Sequence, residues 1–208
     1  MGSGHAFGSD SLSQNRKNTF YLMPSSIGGD MWFNLNQTWL ELGYTKQVTN
    51  TQFLGVRVGN IIHSKSTSTG LLNEISSGKS TGINFNLEHK ILLGKKLYYS
   101  SNFFFQETNT NRTEMINKGE INLQSNTYLV KRNVYALLPK IGFVFLNKKH
   151  FYLDIGAGIG AQLISSKAAN KFNINSNLER ENISGKVFDT GQKIAGRFTL
   201  QIQLGYSF

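Results

Sequence analysis

The chain has 208 residues, no cysteine, 39% hydrophobic residues and a formal net charge of +10. These values suit a single domain and exclude disulfides, cysteine metal sites and thiolate nucleophiles. No run approaches the roughly 18 apolar residues of a membrane-spanning helix, which excludes a bundle of such helices. The basic residues are dispersed among predicted turns, for example Lys95 and Lys96. They do not form the continuous basic surface that binds nucleic acid, so nucleic-acid binding is disfavoured.

The N-terminal residues 1–17 are polar and rich in glycine and serine, so we expect a flexible tail ahead of one domain over residues 18–208. This segment lacks the basic and apolar regions of a secretory signal. Thr19–Met23 is predicted as a short first strand, and Pro24–Asp30 as the turn that follows it.

Alternation of apolar and polar residues predicts seven further strands, because successive side chains of a strand point to opposite faces. The predicted strands cover residues 31–44, 52–63, 83–91, 97–105, 128–146, 151–163 and 194–208. Gln162 lies on the polar face of the seventh strand, and we expect it near a water-exposed rim.

The last strand has the clearest alternation. Arg197, Thr199 and Gln201 begin its polar face, whereas its apolar face carries Phe198, Leu200, Ile202, Leu204, Tyr206 and Phe208. A closed barrel in lipid needs such strands, with apolar side chains outside and polar ones inside. In its alternation and its terminal phenylalanine the strand resembles that of the small outer-membrane β-barrel proteins of Gram-negative bacteria.

This resemblance implies an all-β fold: an eight-stranded, antiparallel, up-and-down transmembrane β-barrel in the bacterial outer membrane. It also implies that the barrel-assembly machinery reads the C-terminal signature formed by Leu200, Ile202, Leu204, Tyr206 and Phe208. The predicted connections fit, since those at 94–96 and 147–150 are short and those at 64–80, 107–125 and 165–192 are long. Outer-membrane barrels combine short periplasmic turns with long extracellular loops.

Six charged residues fall on the polar faces of predicted strands: Glu41, Arg57, Glu88, Lys140, Asp154 and Arg197. Charges inside a narrow barrel must be paired or hydrated, so we expect a structural polar cluster in which three acids meet three bases. Pairing through the turn at 147–150 predicts Asp154 opposite Gly142 and within reach of Lys140.

Other motifs have structural explanations. The glycines of Gly156–Gly160 lie within a strand and leave room for large interior side chains, whereas a nucleotide loop would lead into a helix. Gly78–Ser80 lacks the first glycine of a phosphate loop. His63 and Ser64 are adjacent, so their side chains point to opposite faces, and Trp32 and Trp39 are interpreted as interfacial anchors.

An eight-stranded barrel is just wide enough to be filled by side chains. We therefore expect a non-enzymatic protein without cofactor or metal, with a structural, adhesive or accessory role through its loops. Expected partners are outer-membrane lipid, lipopolysaccharide, the assembly machinery and an envelope or surface partner, but not nucleic acid. One alternative is a soluble β-barrel that carries lipid or a small ligand, and another is an outer-membrane lipid-modifying enzyme.

Overall fold

A computed structural model describes residues 18–23, 27–29, 36–69, 75–117, 123–148, 150–169 and 190–208. All regular structure in these ranges is β-strand: β1 (Asn18–Met23), β2 (Ile27–Gly29), β3 (Asn36–Gln47), β4 (Gln52–Thr69), β5 (Ile75–Leu92), β6 (Leu97–Asn117), β7 (Leu123–Lys148), β8 (Phe151–Ala169) and β9 (Gly191–Ser207). None of these residues belongs to a helix long and apolar enough to cross a membrane. The predicted tail at 1–17 and Trp32 lie outside the described residues.

The strands close into a ring. Every neighbouring pair is antiparallel, in the order β1, β3 to β9, and β1 pairs again with β9. β1 and β2 are two segments of the first barrel strand, since Leu22 pairs with Leu204 and Ile27 pairs with Leu200. The predicted eight-stranded antiparallel barrel is therefore confirmed.

The turn predicted over Pro24–Asp30 is partly wrong, because Ile27–Gly29 pairs with β9. Glycine and serine favour a turn here, but backbone pairing with a long neighbouring strand holds these residues extended. The predicted start of the second strand at residue 31 cannot be compared, since residues 30–35 lie outside the described ranges.

The three long polar stretches are not wholly loops, contrary to the prediction. In the first stretch β4 ends only at Thr69 and β5 begins at Ile75, and in the second β6 ends at Asn117 and β7 begins at Leu123. In the third, β8 ends at Ala169 and β9 begins at Gly191. A strand ladder uses backbone N–H and C=O groups, so it persists where the outward side chains turn polar. The hydroxyls of Thr113 and Thr127 are in hydrogen-bond contact at 3.0 Å across β6 and β7.

The outer face of the barrel is apolar and the inner face is largely polar. Leu42, Leu137 and Ile159 point outward and are 63%, 61% and 71% exposed. Their chain neighbours point inward and are buried or partly buried. A soluble protein buries its apolar faces, so apolar residues on the outer face suit a barrel surrounded by lipid.

Trp39 is an exception to the sequence interpretation. It is 4% exposed and faces the interior together with Glu41, so it is not an interfacial anchor. A register shift between Thr38 and Trp39 interrupts the pairing of β3 with β4, and alternation from Glu41 places Trp39 on the inner face.

Inward tyrosines lie over glycines of neighbouring strands. Tyr152 pairs with Gly205, and a Cβ at Gly205 would overlap the ring of Tyr152. Tyr98 covers Gly142 in the same way. Glycine is required at these positions because the ring occupies the space that a side chain would take.

Gly205→Ala is expected to lower the free energy of unfolding by about 1–3 kcal/mol, since overpacking forces the Tyr152 ring out of place. Urea unfolding of the barrel refolded in lipid vesicles measures this change. Gly196→Ala is the matched control, because a Cβ at Gly196 would meet no atom within 4 Å. Equal stability of the two variants would contradict the ring-on-glycine packing.

Candidate functional site

All six charged residues predicted for the interior are buried there. Their exposed fractions lie between 0% and 7%: Glu41, Arg57, Glu88, Lys140, Asp154 and Arg197. The alternation of each strand explains this placement, because the chain neighbours of these residues point outward and most of them are apolar. Six different strands contribute these residues, so the cluster is formed only when the ring is closed.

Glu88 and Lys140 form the central ion pair. The Lys140 Nζ lies 3.0 Å from Glu88 Oε1, and both side chains are at most 3% exposed. They project from β5 and β7, which are separated by β6. The pair therefore crosses the interior of the barrel instead of linking adjacent strands.

Arg57 extends the network toward the opposite wall. Its Nη1 donates to Gln201 Oε1 at 2.6 Å, and its Nε lies 3.9 Å from Glu41 Oε2. Glu41 also accepts a hydrogen bond from Asn84 Nδ2 at 2.8 Å. Lys140 donates to the same Gln201 oxygen, so this amide joins cations from two walls of the barrel.

Asn102 lies between the central charges. With its amide oriented to satisfy all three neighbours, its oxygen accepts from Arg57 and Lys140, and its nitrogen donates to Glu88 Oε1 at 3.3 Å. The neutral amide thus links two cations and one carboxylate, and buried charges persist only when such hydrogen bonds accompany them.

The predicted contact between Asp154 and Lys140 is wrong. Asp154 pairs with Lys90 at 2.5 Å and accepts a hydrogen bond from the Tyr98 hydroxyl. The β7–β8 connection is tighter than predicted, since Lys148 already pairs with Phe151. The register shifts between Val144 and Leu146, and Asp154 therefore lies opposite Val144. In this position Asp154 is closer to the short turns than predicted and farther from Lys140.

The interior is more apolar toward the far end of the barrel, opposite the short turns. Arg197 lies 4.0 Å from the centroid of the Phe104 ring, and its Nη1 donates to Gln162 Oε1 at 3.3 Å. Gln162 is 2% exposed, so its predicted position at a watery rim is wrong. Phe104 packs in a buried cluster: Phe104, Val134, Ala136, Leu138 and Ile164.

Sequence reasoning missed Lys90 and Tyr98, which complete the pair with Asp154. Both lie on the polar faces of predicted strands, Lys90 two residues after Glu88 and Tyr98 one residue from the outward Tyr99. Lys90 Nζ lies 4.1 Å from the centroid of the Tyr98 ring. Their inward direction was indicated only by their positions in the alternation of each strand. A lysine near a strand end is usually interpreted as a residue exposed at the rim of the barrel.

The predicted balance of three acids and three bases is also incomplete. Among the described residues, three carboxylates and four basic side chains are buried in the interior, and Arg132 is the fourth base. Lys90 adds a further base that is only 12% exposed. The Arg132 Nε donates to Ser166 Oγ at 3.2 Å. Basic side chains thus exceed acidic ones in the described interior.

The described polar cluster links strands across the interior of the barrel. In the described ranges, no three His, Asp or Glu side chains are grouped so that they could hold a metal ion. The side chains of His63 and Ser64 lie outside the described residues. The contacts from Lys140 to Glu88, and from Arg57 to Gln201, join strands that are not neighbours in the sheet.

The C-terminal signature lies on the outer face of β9. Its members point outward and are exposed or partly exposed: Leu200, Ile202, Leu204, Tyr206 and Phe208. The Phe208 ring stacks on Phe20 at 5.5 Å between centroids, and its backbone N–H donates to the Asn18 carbonyl at 3.1 Å. The chain end therefore helps to seal β9 against β1.

Comparison with solved structures finds three outer-membrane proteins, of which the first supports the fold. The chain is similar to a major outer membrane protein from Thermus thermophilus, with a TM-score of 0.51 and 13% identity over 92% of this chain and 99% of that one. It also aligns with Ail, the attachment invasion locus protein of Yersinia pestis, at 10% identity over 92% and 96% and a TM-score of 0.38. For Acinetobacter baumannii CarO the identity is 10% over 93% and 98%, and the TM-score is 0.40.

No family model matches the sequence, and no curated protein matches it. The fold is therefore supported by the closed ring of strands and by the likeness to the Thermus protein, which spans nearly the whole of both chains. The fold expected from the resemblance to the small outer-membrane β-barrels is confirmed, and this chain is a closed, eight-stranded antiparallel β-barrel.

Proposed function

We propose that this protein is an integral β-barrel of the bacterial outer membrane with a filled lumen and a structural, adhesive or accessory role. The observation that carries the proposal is the distribution of side chains: a ring of apolar residues faces outward and ion pairs cross the interior. Lipid outside and a fixed polar network inside suit an anchor more than a channel.

The soluble-carrier alternative requires the opposite arrangement. Such a carrier keeps its ligand in an apolar interior and turns polar faces to water. Here Glu41 and Glu88 are buried inside, and Leu42 and Leu87 are exposed outside. We favour a non-enzymatic role, because no described group of side chains favours the lipid-modifying alternative.

The strand extensions are the part of the molecule that we propose contacts a partner. In outer-membrane barrels the short turns face the periplasm, so the far end of this barrel would project outside the cell. There the β6–β7 hairpin continues through polar residues to Asn117 and Leu123. Such a paired extension would present this largely polar sequence to lipopolysaccharide or to an envelope or surface partner.

Planar-bilayer recording tests the proposed role. A lumen crossed by the Lys140–Glu88 and Lys90–Asp154 pairs should show no steady, large conductance. A variant that opens the network, Lys140→Ala together with Glu88→Ala, is the comparison, and it should conduct more often if it inserts. A stable porin-like conductance of the wild-type protein would contradict the proposal.

We also propose that the barrel-assembly machinery reads the terminal strand. Deleting Phe208 should lower the yield of inserted barrel in cells more than the stability of the refolded barrel, because one rim aromatic contributes only about 1–3 kcal/mol. Membrane yield and in-vitro unfolding are compared for the deletion and for Phe20→Ala, which removes the stacking partner but keeps the terminus. Equal in-cell yields for wild type and deletion would contradict this role.

A further inference from the structure

Two lysines face each other on the outside of the barrel near its far end. Lys131 of β7 and Lys167 of β8 are directly opposite in the antiparallel register, and both are exposed. Each is on the outward face, four residues along its strand from Tyr135 and Leu163, which also pair with each other. Side chains directly opposite on one face have Cβ atoms about 4.5–5.5 Å apart.

Like charges at such positions are destabilising unless an anion lies between them. Glu107 supplies one carboxylate, and its Oε1 lies 2.9 Å from Lys131 Nζ. In the part of the chain that the structure describes, no acidic side chain pairs with Lys167. Lys79 of β5 adds a further outward, exposed cation on the same side, so this surface has an excess of positive charge.

An apolar surface begins one outward-facing residue pair below the lysines. Phe105 and Tyr135 contact each other with their ring centroids 5.1 Å apart, and Leu163 lies opposite Tyr135. Asn133 and Ser165 form the single intervening pair. Cations thus border an aromatic and aliphatic surface along one line of the barrel wall.

We propose that Lys131 and Lys167 bind the phosphate group of a phosphorylated lipid headgroup, with its acyl chains on Phe105, Tyr135 and Leu163. Lysine donates charge-assisted hydrogen bonds to phosphate oxygens, and one phosphate between the two ammonium groups removes their repulsion. The site rests on the proposed membrane location, which places these lysines at the outer headgroup layer.

The test measures binding of fluorescent diphosphorylated lipid A to the barrel refolded in zwitterionic detergent. Lys131→Gln with Lys167→Gln should weaken binding by about tenfold, because two charge-assisted contacts are lost. Lys95→Gln with Lys96→Gln is the matched control: it removes the same charge from the exposed turn at the opposite end, and it should change binding less than twofold.

Two further arms identify the group that is recognised. Glu107→Gln should strengthen binding several-fold, since it frees Lys131. Dephosphorylated lipid A should bind the wild type as weakly as the double variant does, and millimolar inorganic phosphate should compete only if the headgroup phosphate is the recognised part. Heat-dependent gel mobility verifies that each variant is folded.

The possible outcomes distinguish a failure of the proposed lysine site from a failure of the proposed function. If the wild type inserts into bilayers but both double variants bind equally, the lysine site is wrong and the membrane barrel stands. Equal binding of phosphorylated and dephosphorylated lipid also overturns the site. If the wild type stays soluble without detergent, the proposed function fails first and the site fails with it.

Discussion

Replacing Glu88 with glutamine is expected to lower the free energy of unfolding by about 3–5 kcal/mol, the cost of leaving buried charge without its partner. Glu88 is the carboxylate that pairs with Lys140, and Asn102 donates to the same oxygen. The amide would retain the shape of the side chain but lose the charge. Urea unfolding of the barrel in lipid vesicles measures the change.

Glu107→Gln is the matched control for this prediction. It removes the same charge from an exposed pair with Lys131 on the outer face, and exposed pairs contribute only about 0–1 kcal/mol. Adding Lys140→Met to Glu88→Gln should recover part of the lost stability, since it removes the cation left without its partner. If Glu88→Gln is no worse than Glu107→Gln, the central pair has no structural role.

Ile155→Arg is expected to destabilise the inserted barrel by about 2–4 kcal/mol, the cost of an arginine on the lipid face near the bilayer midplane. Ile155 pairs with Phe143 on one side and with Ile202 on the other, in the middle of the apolar outer surface. The free energy of unfolding in lipid vesicles is the measured quantity.

Ser165→Arg is the control for Ile155→Arg. It lies on the same outward face of β8 but beyond Leu163, where Asn133 is its partner, and the cost near an interface falls to about 0–1 kcal/mol. Gln162→Arg would not serve, because Gln162 is buried beside Arg197. Equal losses at residues 155 and 165 would mean that the outward face of β8 does not lie in lipid.

Much of the fold could be predicted because period-two alternation is a local property. The sequence from Phe198 to Phe208 indicates both faces of β9 without any knowledge of the neighbouring strands. The same alternation of residues predicted that Glu88 and Asp154 point into the barrel. Strand ends were harder to predict. Near Thr69 and Asn117 the sequence is already largely polar, so hydropathy no longer indicates the backbone pairing that continues there.

The ion pairs and hydrogen bonds inside the barrel could not be predicted from the alternation of residues along each strand. Whether Asp154 meets Lys140 or Lys90 depends on the register of β7 with β8, and a bulge changes that register by one residue. The contact from Arg57 to Gln201 also depends on ring closure, because only the pairing of β1 with β9 brings β4 and β9 to facing walls of the barrel. Side-chain direction is encoded locally, whereas side-chain partners depend on the closed barrel.

The most direct test of the account is whether the folded chain needs a lipid-like environment. Cells that express the protein are fractionated, and the membrane fraction is extracted with detergent and run on a gel with and without boiling. The apolar outer face, with Leu137 and Ile159 more than half exposed, predicts recovery with the outer membrane and faster mobility before boiling. Recovery as a detergent-free soluble monomer, with the same mobility before and after boiling, would contradict the account.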